Sequence, residues 1–247
     1  MRTAEAVMLG HPDKICDLIA DKFLDIYLEH DPYSRVALEV QGGHGSINIT
    51  GEVTSEFRFK TFKEIQEIIN YVYKDIGYKD IIQLASFNVV QQSPEISSGV
   101  NQGGAGDSGI VIGYATSETP EMLPTELVYA RKLAQAFDKS SFGPDGKVQV
   151  SIEDKAKIII ASIQHKINYD ASKREIEEII RSTLGERITP DCCIYVNPAG
   201  PFTIGGFEAD TGATGRKIVQ DQYGPRVAVG GGAFSGKDPT KVDRSGA

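Results

Sequence analysis

Residues 12–54 read PDKICDLIADKFLDIYLEHDPYSRVALEVQGGHGSINITGEVT, and this stretch decides the fold class. Its apolar residues first recur at helical spacing: Ile15, Leu18, Ile19, Phe23, Ile26 and Tyr27 share one face, with Pro12 suited to the first helical position. The period then changes. From Ser34 to Val40 and from Ser46 to Thr54 apolar and polar residues alternate, and Gln41-Gly42-Gly43-His44-Gly45 between them has the pattern of a hairpin. Thr61 to Tyr73 returns to helical spacing through Phe62, Ile65, Ile68, Ile69 and Val72, and Ile81 to Val90 is strand-like. The order is α-β-β-α-β.

The same order returns further on. Thr125 to Asp138 predicts a helix, Lys147 to Ile152 and Lys157 to Gln164 a hairpin across Glu153-Asp154-Lys155-Ala156, Ser172 to Thr183 a helix, and Cys192 to Val196 a strand. Each element lies roughly 110 residues after its counterpart, which suggests duplication. The expected fold class is therefore α+β, two repeats that each form a mixed or antiparallel sheet with helices on one face. The first repeat is expected over 11–123, with 200–247 returning to it as a ligand-binding tail, and the second over 124–199 together with 1–10. The tail predicts one short helix, Gly215 to Gln222, and one strand, Arg226 to Val229.

Composition bounds the function. The chain has 247 residues, 40% hydrophobic and 24% charged, with a net charge of -8. No lysine and arginine cluster forms a basic stripe, so a nucleic-acid partner is not indicated. No apolar run approaches the roughly 18 residues of a membrane span, and the three cysteines include no Cys-x-x-Cys pair. A cytoplasmic protein without structural zinc is the expectation. Sixteen of the 26 glycines fall between Gly99 and Gly113 or between Gly200 and Gly236. Clustered glycine marks either plain loops or backbone laid against a ligand. Residues 208–247 carry six basic and five acidic side chains, so the tail repels an anion least.

Within the tail, Gly231-Gly232-Ala233-Phe234-Ser235-Gly236-Lys237 satisfies G-x-x-x-x-G-K, but Asp238 and Pro239 follow where a phosphate-binding P-loop needs Ser or Thr. That fold is rejected; glycine amides with Lys237 and Lys241 could still hold a polyphosphate, as a solvated turn could equally explain them. Both lysines are expected to be exposed. Asp13 and Asp243 are carboxylates of the kind Mg²⁺ takes beside phosphate oxygens, although an Asp in a first helical turn also serves the helix dipole. His11 could donate a proton or touch phosphate, or simply cap the helix. Glu39 and Glu52, on the two arms of the first hairpin, are explained equally well as paired surface charges.

Together these segments resemble the signature segments of the S-adenosylmethionine synthetase (methionine adenosyltransferase) family. The resemblance is carried by Gly10-His11-Pro12-Asp13-Lys14, Gly104-Ala105-Gly106-Asp107, Gly113-Tyr114-Ala115-Thr116, and the sixteen-residue run from Gly230 to Ser245. Gln92-Ser93-Pro94, Asn197-Pro198, Ile204-Gly205-Gly206 and Thr214-Gly215-Arg216-Lys217-Ile218 follow in the family's order. The resemblance implies transfer of the adenosyl group of ATP to the sulfur of L-methionine, with tripolyphosphate released and cleaved to pyrophosphate and phosphate. It implies that Lys147, Arg216, Lys217, Lys237 and Lys241 surround the polyphosphate, that Asp13 and Asp243 hold two Mg²⁺ ions, and that His11 stabilises charge near the breaking C5′–O bond. His11, Lys147, Arg216 and Lys237 form the implied catalytic set. Asp145 joins the ATP ligands, Phe202 stacks on adenine and Ala233 offers backbone to the nucleotide. Methionine falls to Glu52, Gln92 and Asp107, with Asp210 and Lys241 serving both substrates, and Glu39 belongs to a K⁺ site.

The sequence also departs from the family's pattern. Family members have three α+β repeats, and this sequence stops where the third would begin. The segment between Ile96 and Gly104 is shorter than the family's mobile loop over its active site, and Pro201 stands where an arginine precedes the adenine-stacking aromatic. The resemblance implies a homodimer with active sites between subunits, a tetramer being the larger alternative. A non-catalytic nucleotide-binding subunit that regulates a full-length synthetase is the competing reading, and a tripolyphosphatase without transfer activity a third.

Overall fold

The helix predicted from the opening stretch forms over Pro12–His30 (α1), and the hairpin after it over Arg35–Gly43 (β2) and Ser46–Thr54 (β3). A strand at Arg2–Val7 (β1) precedes them, and Phe62–Ile76 (α2) and Gln83–Val90 (β4) complete the first repeat. The second consists of Thr125–Asp138 (α3), Gly146–Ile152 (β5), Ala156–Ile163 (β6), Tyr169–Leu184 (α4) and Ile188–Val196 (β7). This computed structural model describes residues 1–93, 108–166 and 168–247. They form two compact units: a leading unit of Pro12–Ile112, Phe207–Ile218 and Val229–Ala247, and a central unit of Met1–His11, Gly113–Gly206 and Val219–Ala228.

The two units follow one plan. In the leading unit β2 and β3 are antiparallel and β3 and β4 parallel; in the central unit β5 and β6 are antiparallel and β6 and β7 parallel. Each sheet gains a fourth strand from far along the chain, antiparallel to the first hairpin arm. In the central unit this is β1, with Arg2 opposite Ile152. In the leading unit it is Thr211–Ala213 (β8), opposite Gln41–Gly43. Neither strand is predicted from the sequence.

Helices cover one face of each sheet. In the leading unit α1 lies on β2 and β8 and touches α2, which lies on β4. Phe23, Tyr73 and Phe207 fill the core between helices and sheet, and the rings of Tyr73 and Phe207 stack at 5.7 Å. Thr61 starts α2 by accepting the Glu64 amide at 3.2 Å, and Gly77 ends it in a left-handed conformation at φ 118°. In the central unit α3 lies on β1 and β5, α4 on β7, around Phe137, Val150, Ile159 and Ile180.

Two tail expectations fail. The helix predicted over 215–222 shrinks to Ile218–Asp221, because Gly215 takes φ 76° and turns the chain before it. No strand forms over Arg226 to Val229. Arg226 instead places its guanidinium 2.8 Å from Glu118 and 2.7 Å from Glu126, so ion pairs hold that run where a sheet partner was expected. Among the described residues no helix is long and apolar enough to cross a membrane.

Candidate functional site

The tail of the leading unit is laid along the free edge of β2. Beyond β8, the Thr214 amide donates to the Val40 carbonyl at 3.0 Å, the Leu38 amide to Gly236 at 3.0 Å, and the Asp238 amide to Val36 at 3.0 Å. Two tail segments thus occupy successive parts of one strand edge, bringing 211–217 and 236–243 together.

Helix α1 grips the same segments from the other side. Asp13, Asp17 and Asp21 are spaced by four residues and so lie along one helical face. Asp13 Oδ1 accepts the Ala213 amide, Asp17 Oδ1 the Gly215 amide and Asp21 Oδ1 the Gly236 amide, each at 3.0 Å. Arg244 adds a second bond to Asp21, at 3.2 Å. The sequence reading uses only Asp13 of this ladder. The i, i+4 recurrence of aspartate was the signal that could have found the others.

The cations predicted from the tail gather here, each facing a carboxylate. Lys217 donates to Asp13 Oδ2, and Arg216 lies 3.4 Å from Asp13 Oδ1. Lys237 lies 2.9 Å from Asp243 Oδ2 and 3.9 Å from Glu39 Oε1. Lys241 turns to Asp238 Oδ1 at 3.0 Å. The side chains of Lys217, Lys237 and Lys241 are each only 15% exposed, so the expectation of exposed lysines at 237 and 241 is corrected: their stems pack while their ammonium groups pair.

Asp238 explains its own intrusion into the P-loop-like run. It is buried, accepts the Val36 amide at 2.7 Å and the Thr240 amide at 2.9 Å, and takes the Thr240 hydroxyl at 2.6 Å. Burial pushes its carboxyl upward, but these hydrogen bonds and that from Lys241 outweigh burial and hold it below the usual range. It anchors the tail to β2.

Glycine lets the backbone come close. A Cβ on Gly232 would stand 2.1 Å from the Asp243 carboxyl carbon, and Gly236, at φ 73°, would place one 2.6 Å from the Leu38 carbonyl oxygen. Ala233 is buried, Asp210 exposed with its carboxylate on the Thr211 amide at 2.7 Å, and Glu39 accepts the Thr214 hydroxyl. Glu52 stands in β3 beside Val90 of β4. Two residues beyond, Gln92 is 5% exposed, and its amide oxygen has no hydrogen-bond partner among the described residues. Asp107 lies outside the described residues.

The central unit holds the other predicted residues. Lys147, in β5, pairs with Glu5 at 3.6 Å. Asp145 is buried and accepts the Gly206 amide at 2.8 Å. Phe202 is half-buried, its amide donating to His165 Nε2 at 3.1 Å. His11 directly precedes α1, and its amide donates to Met8 at 3.1 Å.

No three His, Cys, Asp or Glu side chains among the described residues group as a metal cage. A Mg²⁺ ion fits this donor set in another way, with one or two carboxylates and the rest of its octahedron completed by phosphate oxygens and water.

Fold and site thus define an α+β protein of duplicated plan whose tail sets lysines and an arginine against aspartates. Three family models match it: S-adenosylmethionine synthetase, N-terminal domain, over residues 1–98; central domain, over 102–202; and C-terminal domain, over 204–247. The S-adenosylmethionine synthase of Aquifex aeolicus is 42% identical over 271 aligned positions, covering 100% of this chain and 71% of that protein. That of Rhodospirillum centenum is 40% identical over 273 positions, covering 99% of this chain and 70% of the relative. The chain belongs to the S-adenosylmethionine synthetase family, the methionine adenosyltransferases.

Proposed function

We propose that this chain makes S-adenosylmethionine from ATP and L-methionine and then hydrolyses the tripolyphosphate released. The observation that carries the reading is the gathering of Arg216, Lys217 and Lys237 opposite Asp13 and Asp243 on glycine-backed tail segments held by β2 and α1. Such a set serves a reaction in which a highly charged leaving group departs. The methionine sulfur places its lone pair on C5′ as the C5′–O bond breaks, and the electron pair leaves with the tripolyphosphate oxygen. Sulfur becomes a sulfonium, and no covalent enzyme intermediate is needed. The catalytic demand is alignment and preorganised positive charge on the departing oxygens, where electrostatic stabilisation is strongest.

In this reading Arg216, Lys217 and Lys237, with Lys147 of the central unit, bind the phosphates, and Lys241 joins them by exchanging its bond to Asp238 for ligand. His11 stabilises charge developing at the C5′ oxygen. Asp13 and Asp243 would hold Mg²⁺, which when bound neutralises phosphate oxygens; each carboxylate already faces a lysine, a cation in its place. Glu39, with the Thr214 hydroxyl beside it, offers oxygen donors to K⁺.

Phe202 and Asp145 are assigned to the adenosine side of ATP, with Ala233 lending backbone, and Glu52, Gln92, Asp107 and Asp210 to methionine. The buried amide oxygen of Gln92 supports the methionine assignment, because a buried acceptor with no donor among the described residues fits an ammonium group brought by a ligand. We further propose a cytoplasmic homodimer. Ile158 pairs with Cys193 and Ile160 with Tyr195 across β6 and β7, giving the central sheet an apolar outward row in which Tyr195 is 50% exposed.

The test is incubation of the purified chain with ATP, methionine, Mg²⁺ and K⁺. S-adenosylmethionine and stoichiometric phosphate are expected. Nucleotide binding without either product would refute the synthetase reading in favour of a non-catalytic subunit, and phosphate from added tripolyphosphate alone would leave only a tripolyphosphatase.

A further inference from the structure

His165 is 3% exposed and takes no part in the chemistry proposed above. Its ring meets two groups of opposite kind. Nδ1 lies 2.7 Å from the Lys166 carbonyl oxygen, which can only accept, and Nε2 lies 3.1 Å from the Phe202 amide, which can only donate. The imidazole is therefore neutral, with its proton on Nδ1 and a lone pair on Nε2. The main chain closes the same contact, the His165 amide donating to the Phe202 carbonyl at 2.8 Å.

Neighbouring groups hang the rest of the strip. Gln164 donates its side-chain amide to the Thr203 carbonyl at 3.1 Å and accepts the Asp145 amide at 3.2 Å, while Asp145 takes the Gly206 amide. Against the imidazole lies Tyr169, ring centroids 5.4 Å apart, its own hydroxyl donating to the Asn197 carbonyl at 2.9 Å. Before Phe202 the chain has less hold: Gly200 is left-handed at φ 108°, and Pro201 has no amide to donate. The Phe202 amide is thus the first that this strip can give after Gly200, and His165 receives it.

We propose that His165 is the positioning residue that fixes Phe202 for adenine, and that its neutral Nδ1–H form is the working form. The inference rests on the assignment of Phe202 to adenine. An aromatic ring contributes most to stacking when its backbone is set before the base arrives, because the ordering cost then falls on folding and not on binding.

Two polar variants separate the roles of the ring nitrogens. His165→Gln keeps an acceptor near the Nε2 position; His165→Asn keeps a donor near Nδ1 and leaves the Nε2 position empty. Calorimetric titration of the full chain with ATP and, separately, with tripolyphosphate reads the adenine contribution, since tripolyphosphate has no base. His165→Asn is expected to raise the ATP Kd about tenfold and to leave the tripolyphosphate Kd within about twofold, while His165→Gln stays within about threefold for both. Added to Phe202→Leu, His165→Asn is expected to cause no further loss. Equal loss for both ligands, an effect additive with Phe202→Leu, or an unchanged ATP Kd in His165→Asn would overturn the inference. If the unaltered chain binds neither ligand, the proposed function falls and this inference with it. If it binds both equally, only the adenine assignment and this inference fall.

Discussion

Two glycines of the tail, four residues apart, should fail in opposite ways when replaced by alanine. In Gly232→Ala the new methyl meets the far end of the Asp243 side chain, 2.1 to 2.2 Å from its carboxyl atoms. That side chain is 35% exposed, so it can swing aside. What is lost is one partly exposed ion pair with Lys237, about 0–1 kcal/mol, and melting should move by no more than about 4 °C. The displaced carboxylate, however, is the one assigned to Mg²⁺; since losing a group that merely orients a metal ligand already costs about 10–100-fold in metal affinity, displacing the ligand itself should cost at least about tenfold. In Gly236→Ala the obstacle is backbone. The methyl comes 2.6 Å from the Leu38 carbonyl oxygen, and φ 73° costs alanine about 1–2 kcal/mol. The bonds from Leu38 to Gly236 and from Gly236 to Asp21 are strained with it, at about 1 kcal/mol each. The total of about 3–4 kcal/mol lowers melting by roughly 6–16 °C. Thermal unfolding and the Mg²⁺ dependence of tripolyphosphate hydrolysis, measured on both variants, test the pair. A Gly232→Ala protein with the original Mg²⁺ half-saturation would refute the reasoning, as would one that melts as low as Gly236→Ala.

The two tail lysines should also separate. Lys237→Met is expected to cut tripolyphosphate hydrolysis at least tenfold with little change in melting, because its partners Asp243 and Glu39 are 35% and 50% exposed. Lys241→Met should additionally lower stability by about 1–3 kcal/mol, read by urea unfolding, since it strips the counter-charge from Asp238, whose side chain is 2% exposed. In the central unit, the hydrogen bond from Arg226, helped by the charges of Arg226 and Arg2, holds the Glu118 carboxyl at about 2 against an ordinary 4.5. A depressed acid stabilises fully above its unfolded value and loses that contribution as pH falls toward the folded one. Melting of the unaltered chain should therefore fall between about pH 4.5 and 2, and Glu118→Gln should be less stable at neutral pH yet converge with it near pH 2.

The sequence made legible what is local and periodic. Helix α1 and the β2–β3 hairpin declare themselves because a change from helical spacing to alternation happens within a few dozen residues, and because the same order recurs from Thr125 onward. The fourth strand of each sheet is illegible for a physical reason. β8 has three residues, too few for a period, and β1 pairs with residues near 150, so nothing beside either strand in the sequence announces its partner. The false strand at Arg226 shows the converse error: an alternating run looked like a sheet edge, but its arginine found two glutamates first. The site divides along the same line. Residue types were readable, since lysine and aspartate beside glycine suit a metal-bound polyphosphate wherever the chain places them. Their pairing was not, because Asp13 and Lys217 stand 204 residues apart and meet only when β8 has docked beside α1. The tail's order thus depends on aspartates whose anchoring role does not show in the sequence. Asp17, Asp21 and Asp238 accept amides from Gly215, Gly236 and Val36, and so set the backbone from which Arg216, Lys217 and Lys237 project. Glycine serves there less as a flexible joint than as a residue slim enough to bring its amide to a helix carboxylate, which is why the tail segments 211–217 and 236–243 are a fixed part of the leading unit.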